Sequence, residues 1–265
     1  MQTLWTPNTN IHTDDTFGHL AVCTTQIPGE FKLIYEDWET LIYPEQRNIQ
    51  LIRQGSIPEF YFRERIALPF ACLLKGNILL HAGALSTPNG MVLMLAPTGI
   101  GKSTITASAL AFSSSKLATD DMIPIDSAAE PPHAIPLSHY IAMRHELFSS
   151  EPFVKNNIHI LGKTILEVNP EICQSQPAPL AAIIILAKGN TPKLLQISNA
   201  EAIPYILNQQ IILSNPPPEF KRTQFHALLN AIKDIPIYHL DITTHSKEDA
   251  KQTIDCLIQH HILPA

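Results

Sequence analysis

The 265 residues are 45% hydrophobic and 16% charged, with a net charge of −6, a globular composition that excludes a disordered chain. The negative balance and the lack of a Lys/Arg block exclude a non-specific nucleic-acid groove. The longest apolar runs, such as Leu180–Ala187 and Gly90–Pro97, are far too short to cross a bilayer.

Taken in chain order, residues 1–75 read as a β-rich lead-in. Met1-Gln-Thr-Leu-Trp-Thr-Pro has neither a basic nor an apolar signal region, so the expected location is the cytoplasm, with no membrane partner. Strands are expected at His19–Thr24, Phe31–Tyr35 and Asn48–Arg53, with the charges around Glu36–Glu39 in a solvated turn. Pro58–Phe62 is expected as an aromatic edge and Arg63–Leu74 as a helix despite Pro69. Residues 76–265 read as a catalytic domain. Strands at Asn77–Leu85 and Met91–Leu95 flank a turn over Ser86–Gly90, a helix follows over Ser103–Phe112, and a strand over Lys116–Thr119. Glu130–Pro136 is a proline-rich loop. Strands are then expected at Ala181–Ala187, Lys193–Ile197 and Pro236–Asp241, and helices after Asn199, near Glu219–Ile232 and after an N-cap at Ser246. The sum is an α/β fold with a mixed sheet. Cys23, Cys72, Cys173 and Cys256 form no C-x-x-C pair and read as reduced core residues, and the twelve histidines contain no H-E-x-x-H zinc pattern.

The stretch from Met91 to Thr104 carries a relaxed Walker A pattern, A-x-x-x-x-G-K-S, between an apolar strand and a helix. Such a loop wraps phosphate oxygens with consecutive backbone N–H groups, so Gly99 and Gly101 supply conformations that other residues resist. Thr98, Gly99, Ile100, Gly101, Lys102, Ser103 and Thr104 are the candidate nucleotide-binding residues. Lys102 is placed to reach the β- and γ-phosphates of ATP and the Ser103 hydroxyl to ligate Mg²⁺. Ala96 stands where the pattern usually has its first glycine.

Asp120-Asp121 follows Lys102 by eighteen residues, room for one helix and one short strand. The end of that strand returns beside the loop in a βαβ-type unit. One carboxylate there can serve Mg²⁺ and the other can accept the proton of an attacking hydroxyl. Asp120 is read as the base and Asp121 as the metal partner, with the reverse left open. A hairpin centred between Pro88 and Asn89 sets His81 opposite Ala96, and one centred a residue later sets it opposite Thr98, at the edge of the loop in either register. The candidate catalytic set is therefore Asp120, Asp121, His81 and Lys102. Arg144 and Lys163 are the basic residues beyond the acidic pair that could neutralise phosphate or contact substrate.

Leu80-His-Ala-Gly-Ala, Ala96-Pro-Thr-Gly-Ile-Gly-Lys-Ser-Thr and Ala118-Thr-Asp-Asp together resemble the catalytic domain of HPr kinase/phosphorylase. The likeness is nearer to the small HPr-kinase-like proteins of ribosomal peptide biosynthesis, including lasso-peptide tail kinases. It covers roughly residues 60–126 with specific motifs and extends weakly to the C-terminus. The resemblance implies a phosphoenolpyruvate-carboxykinase-like P-loop core that transfers the ATP γ-phosphate to a serine hydroxyl. The acceptor it implies is a peptide or small protein, such as a ribosomally made precursor peptide. The family's glycine- and arginine-bearing signature segment has no counterpart here, a departure that bears on phosphorolysis and on HPr itself as acceptor. The rival readings are a non-catalytic nucleotide-binding regulator and a carboxykinase-related small-molecule kinase, and a homo-oligomer is left open.

Overall fold

The structure, a computed structural model, describes residues 11–12, 20–46, 48–144, 147–212, 216, 218–243 and 246–265. His19 and the first ten residues, read above as the start of a strand and as a leader-free start, lie outside them. In chain order the strands are β1 (Ile11–His12), β2 (Leu20–Thr24), β3 (Phe31–Tyr35), β4 (Trp38–Tyr43) and β5 (Asn48–Arg53). Helices α1 (Glu59–Phe62) and α2 (Leu68–Leu74) are joined by a π-helical turn, Arg63–Ala67. Then come β6 (Ile78–Thr87), β7 (Gly90–Leu95), α3 (Lys102–Phe112), β8 (Lys116–Thr119), β9 (Met122–Asp126), β10 (His133–Ala134) and β11 (Tyr140–Met143). The remainder is β12 (Val154–Ile160), β13 (Lys163–Val168), β14 (Ala178–Lys188), β15 (Lys193–Ile197), α4 (Asn199–Leu207), β16 (Gln210–Ile211), α5 (Pro218–Ile232), β17 (Ile237–Ile242) and α6 (Lys247–Gln259).

The chain divides into two compact units, Met1–Leu79 with Ile211–Asn230, and Leu80–Gln210 with Ala231–Ala265. The first contains an antiparallel sheet in the order β1-β2-β3-β4-β5. Two expectations are corrected here. Pro58–Phe62 is not an extended edge: Glu59–Phe62 is helical and runs on to Leu74. Phe62, Ile66 and Phe70, four residues apart, are all buried, and that helical spacing overrides the β preference of the aromatics. The π-helical turn precedes Pro69, where a missing N–H disturbs the ladder. The acidic turn, in turn, is confined to Glu36 and Asp37. Trp38 starts β4, whose alternate residues Trp38, Thr40 and Ile42 are buried, and the Trp38 ring stacks on Phe62 at 4.4 Å.

The second unit is built on a mixed sheet in the order β10-β9-β6-β7-β14-β17-β15, with β8 and β16 pairing to β6. Strand β14 runs parallel to both β7 and β17, and its run Ile183–Leu186 is buried on both faces, which is why it reads as continuously apolar. Strand β6 is antiparallel to β7 and to β8. β7 and β8 therefore run in the same direction on either side of β6, linked by α3, and their C-terminal ends lie at the same edge. Helix α3 is packed from two sides. Ile105 and Ala109 join a core with β6, β7, β14, β17 and α6, while Ala107 joins a second core with β11, β13 and Phe148. That second core covers one face of a separate three-stranded antiparallel sheet, β11-β13-β12. Gly83 lets α3 approach β6, since a Cβ there would come within 2.7 Å of the Thr106 hydroxyl. Among the described residues no helix is long and apolar enough to cross a membrane.

Candidate active site

The loop begins where β7 leaves the sheet and ends where α3 starts. Gly99 has φ 86 and Gly101 φ 129, conformations costly for any residue with a Cβ. A Cβ added at Gly99 would meet nothing within 4 Å, so the loop faces open space on that side. Ala96 has no positive φ, which explains why alanine serves in place of the first glycine. Gly101 caps α3 with no side-chain hydrogen bond. The first helical bond is Ile105 N–H to Gly101 O, 2.9 Å, so the amides of the first turn before Ile105 have no intrahelical acceptor. Together with the helix dipole they make an anion-binding end.

Lys102 is 7% exposed, and its Nζ donates to the Ala96 carbonyl at 2.5 Å. Burial pushes its pKa below the ordinary lysine range. Asp121 and then Asp120 pull the other way without fully offsetting it, and the Lys163 ammonium adds to the lowering. A desolvated cation at the mouth of an uncapped helix is matched to an anion with several oxygens.

The two aspartates differ in surroundings. Asp120, 2% exposed, ends the β8 turn with Oδ2 accepting from Ser103 Oγ at 2.9 Å and from the Ala142 amide at 2.9 Å. Asp121 has a side chain 31% exposed, and its Oδ1 lies 3.4 Å from His81 Nε2. Pairing of Ala82 with Leu95 and of Thr87 with Gly90 is the first of the two hairpin registers open to the sequence, and continued by one position it sets His81 beside Ala96. His81 is held by its own amide, which donates to Gln209 O at 2.8 Å. The loop, the acidic pair and His81 thus converge at one edge of the sheet.

Mg²⁺ and ATP fit these residues. Among the described residues no group of three or more His, Cys, Asp and Glu could hold a metal by itself. A hydroxyl with one adjacent carboxylate, here Ser103 and Asp120, is the donor set of a Mg²⁺ whose other ligands are phosphate oxygens and waters. A cavity of about 550 Å³ between β15 and α6, lined by Leu194, Cys256 and His260 among others, includes none of the loop residues. None of the four cysteines is in a disulfide, and only Cys173 of them is buried.

Arg144 and Lys163 are brought in by the three-stranded sheet, which the sequence reading did not anticipate. The Met143–Thr164 pair, continued by one position, sets Arg144 across from Lys163. The Ala142 amide, a backbone partner of the site, was also missed. The available signal was Leu161-Gly162 between the alternating apolar residues Ile158, Ile160 and Ile165, a two-residue hairpin pattern. Both turn residues have positive φ, 50 and 71.

No family model and no curated protein matches the chain. Among solved structures it is similar to the Hpr(Ser) kinase/phosphatase from Coxiella burnetii, with 17% identity and a TM-score of 0.38, over 69% of this chain and 95% of that one. At that level of superposition the likeness says nothing about chemistry, for which the site geometry is the guide.

Proposed function

We propose that the protein is an ATP-dependent kinase that transfers the γ-phosphate to a hydroxyl, the side chain of a serine in a peptide or small protein, with a ribosomally made precursor peptide as the finer reading. The observation that carries the proposal is the division of labour between the aspartates beside an uncapped, lysine-bearing phosphate loop. Asp120 is committed to Ser103 and to the Ala142 amide, which suits a carboxylate that organises the Mg²⁺ side. Asp121 is more open and faces His81, which suits the base. This reverses the assignment favoured from the sequence.

In this reading the amides of the first α3 turn and Lys102 bind and orient the phosphate oxygens of ATP. Bound Mg²⁺ supplies charge neutralisation on those oxygens. Asp121 takes the proton of the acceptor hydroxyl as its oxygen bonds to the γ-phosphorus and the bond to the ADP oxygen breaks. His81 orients Asp121. Positioning and electrostatics are the main requirements of phosphoryl transfer, because the phosphoryl group itself reacts through a loose transition state.

The test is transfer from γ-labelled ATP to a panel of peptides, small proteins and small alcohols, with thermal shift as a measure of nucleotide binding. Mg²⁺–ATP should raise the melting temperature by mass action, and Lys102→Ala should remove most of that rise. A wild-type melting temperature indifferent to millimolar nucleotide would overturn the loop assignment. Binding without transfer to any acceptor would favour a nucleotide-binding regulator.

A further inference from the structure

The strand ladder β11–β13 ends beside the phosphate loop with two basic residues across from each other. Ala142, whose amide is bound to Asp120, pairs with Ile165, and two positions further the same face carries Arg144 and Lys163. The opposite face, with Ile141, Met143 and Leu166, is the one packed against α3, so side-chain alternation puts the two cations on the face away from the nucleotide helix. Lys163 is fixed by the tight Leu161-Gly162 turn, as the first residue of β13 and the partner of Ile160.

Like charges facing each other across a ladder are destabilising, and among the described residues no compensating acid is in place. Among the described residues neither Arg144 nor Lys163 makes an ion pair or hydrogen bond, whereas Lys155 of the same sheet is bonded to Glu167 at 2.7 Å. The pair is also out of keeping with a chain of net charge −6, so it is not part of a generally basic surface. Burial grades outward, from Lys102, buried, to Lys163, half-buried, to Arg144, exposed. The ladder therefore carries Arg144 two residues from the Ala142 amide that binds Asp120, with Lys163 across from it, and the loop already supplies the nucleotide with Lys102, Ser103 and free amides.

We propose that Arg144 and Lys163 form an acceptor-side anion clamp, and that the acceptor is a peptide segment with a carboxylate close to the hydroxyl that receives the phosphate. The proposal rests on the phosphotransfer reading of the same site and names its substrate class. Charges further than about 8 Å away are largely screened at physiological salt, so the local clamp governs the choice of peptide despite the negative total.

The test uses the full chain loaded with Mg²⁺ and a non-hydrolysable ATP analogue, and three labelled peptides with a central serine flanked by glutamates, alanines or lysines. Fluorescence anisotropy at low salt should show the glutamate peptide bound roughly tenfold tighter than the alanine peptide, about what two partly exposed ion pairs supply. The preference should fade as salt is raised. The double variant Arg144→Glu/Lys163→Glu should invert it towards the lysine peptide, and Arg144→Gln/Lys163→Gln should abolish it, each with the thermal shift by the ATP analogue kept. Equal affinity for the three peptides in the wild type would overturn the proposal. So would loss of the nucleotide shift in a folded glutamine variant, since the pair would then serve the nucleotide. Charge-sorted binding with no label transfer from ATP to any peptide would refute the kinase reading while leaving the clamp in place.

Discussion

Asp120→Asn and Asp121→Asn should separate structural from chemical roles within one dipeptide. In the wild type, Ser103 O–H and the Ala142 N–H both donate to one Asp120 oxygen in a buried setting. Hydrogen bonds to a charged acceptor are worth about 1.5–3 kcal/mol each and neutral ones about 1 kcal/mol, so two weakened bonds cost about 2–3 kcal/mol. For a chain of this size each kcal/mol shifts the melting temperature by about 2–4 °C, giving a fall of roughly 5–10 °C for Asp120→Asn. The same variant should lose much of the Mg²⁺-dependent part of the ATP shift, because Ser103 loses its charged partner. Asp121→Asn, with a side chain 31% exposed but with the leading opposite charge on buried Lys102, should lose less stability than Asp120→Asn. It should still bind Mg²⁺–ATP and lose transfer by on the order of 10²–10⁴-fold, the usual worth of a positioned base. Differential scanning calorimetry with and without Mg²⁺–ATP, beside single-turnover transfer, measures all of these quantities. A large stability loss at Asp121 with an unperturbed Asp120 variant would refute the assignment, and two fully active variants would remove both residues from the chemistry.

His81→Ala should lower the turnover rate while leaving the ATP dissociation constant within a few-fold, since its contact is with Asp121 rather than with the loop amides. The opposite pattern, reduced thermal stability with normal activity per folded molecule, would identify a purely structural histidine. Lys102 makes the unliganded protein sensitive to alkaline pH in a specific direction. Burial lowers its folded pKa, so just below the ordinary lysine range the unfolded chain binds more protons, and stability should rise with pH through that window. The cost of the buried charge is full below the folded pKa and is relieved as pH rises through it. Lys102→Met should flatten that rise, and Mg²⁺–ATP, by giving the ammonium an anionic partner, should flatten it in the wild type. A pH–stability curve identical in wild type and variant would contradict the burial.

Elements whose signal is local were legible from the sequence. The strands Phe31–Tyr35, Asn48–Arg53, Lys116–Thr119 and Lys193–Ile197 lie at their expected bounds, and α6 starts after Ser246, whose hydroxyl accepts from the Asp249 amide. The loop with its two glycines, the helix behind it and the hairpin that carries His81 to the loop edge could be read the same way, because turn chemistry and side-chain period act over a few residues; the choice of Ala96 over Thr98 came from the observed register. Other features depended on distant partners. Glu59–Phe62 is a helix because Phe62 packs on Trp38, a partner that propensity cannot see. The sheet of β11, β12 and β13 needed a second face of α3 to bury Ile141, Met143 and Leu166, so its strands had no complete signal of their own. The roles of the adjacent aspartates followed the same rule. The sequence by itself determined that two carboxylates reach the glycine loop, since strand length and crossover direction suffice for that. Only the tertiary structure decided which one is buried beside Ser103 and which one is part-exposed beside His81, because the amide that holds Asp120 belongs to Ala142, twenty-two residues away.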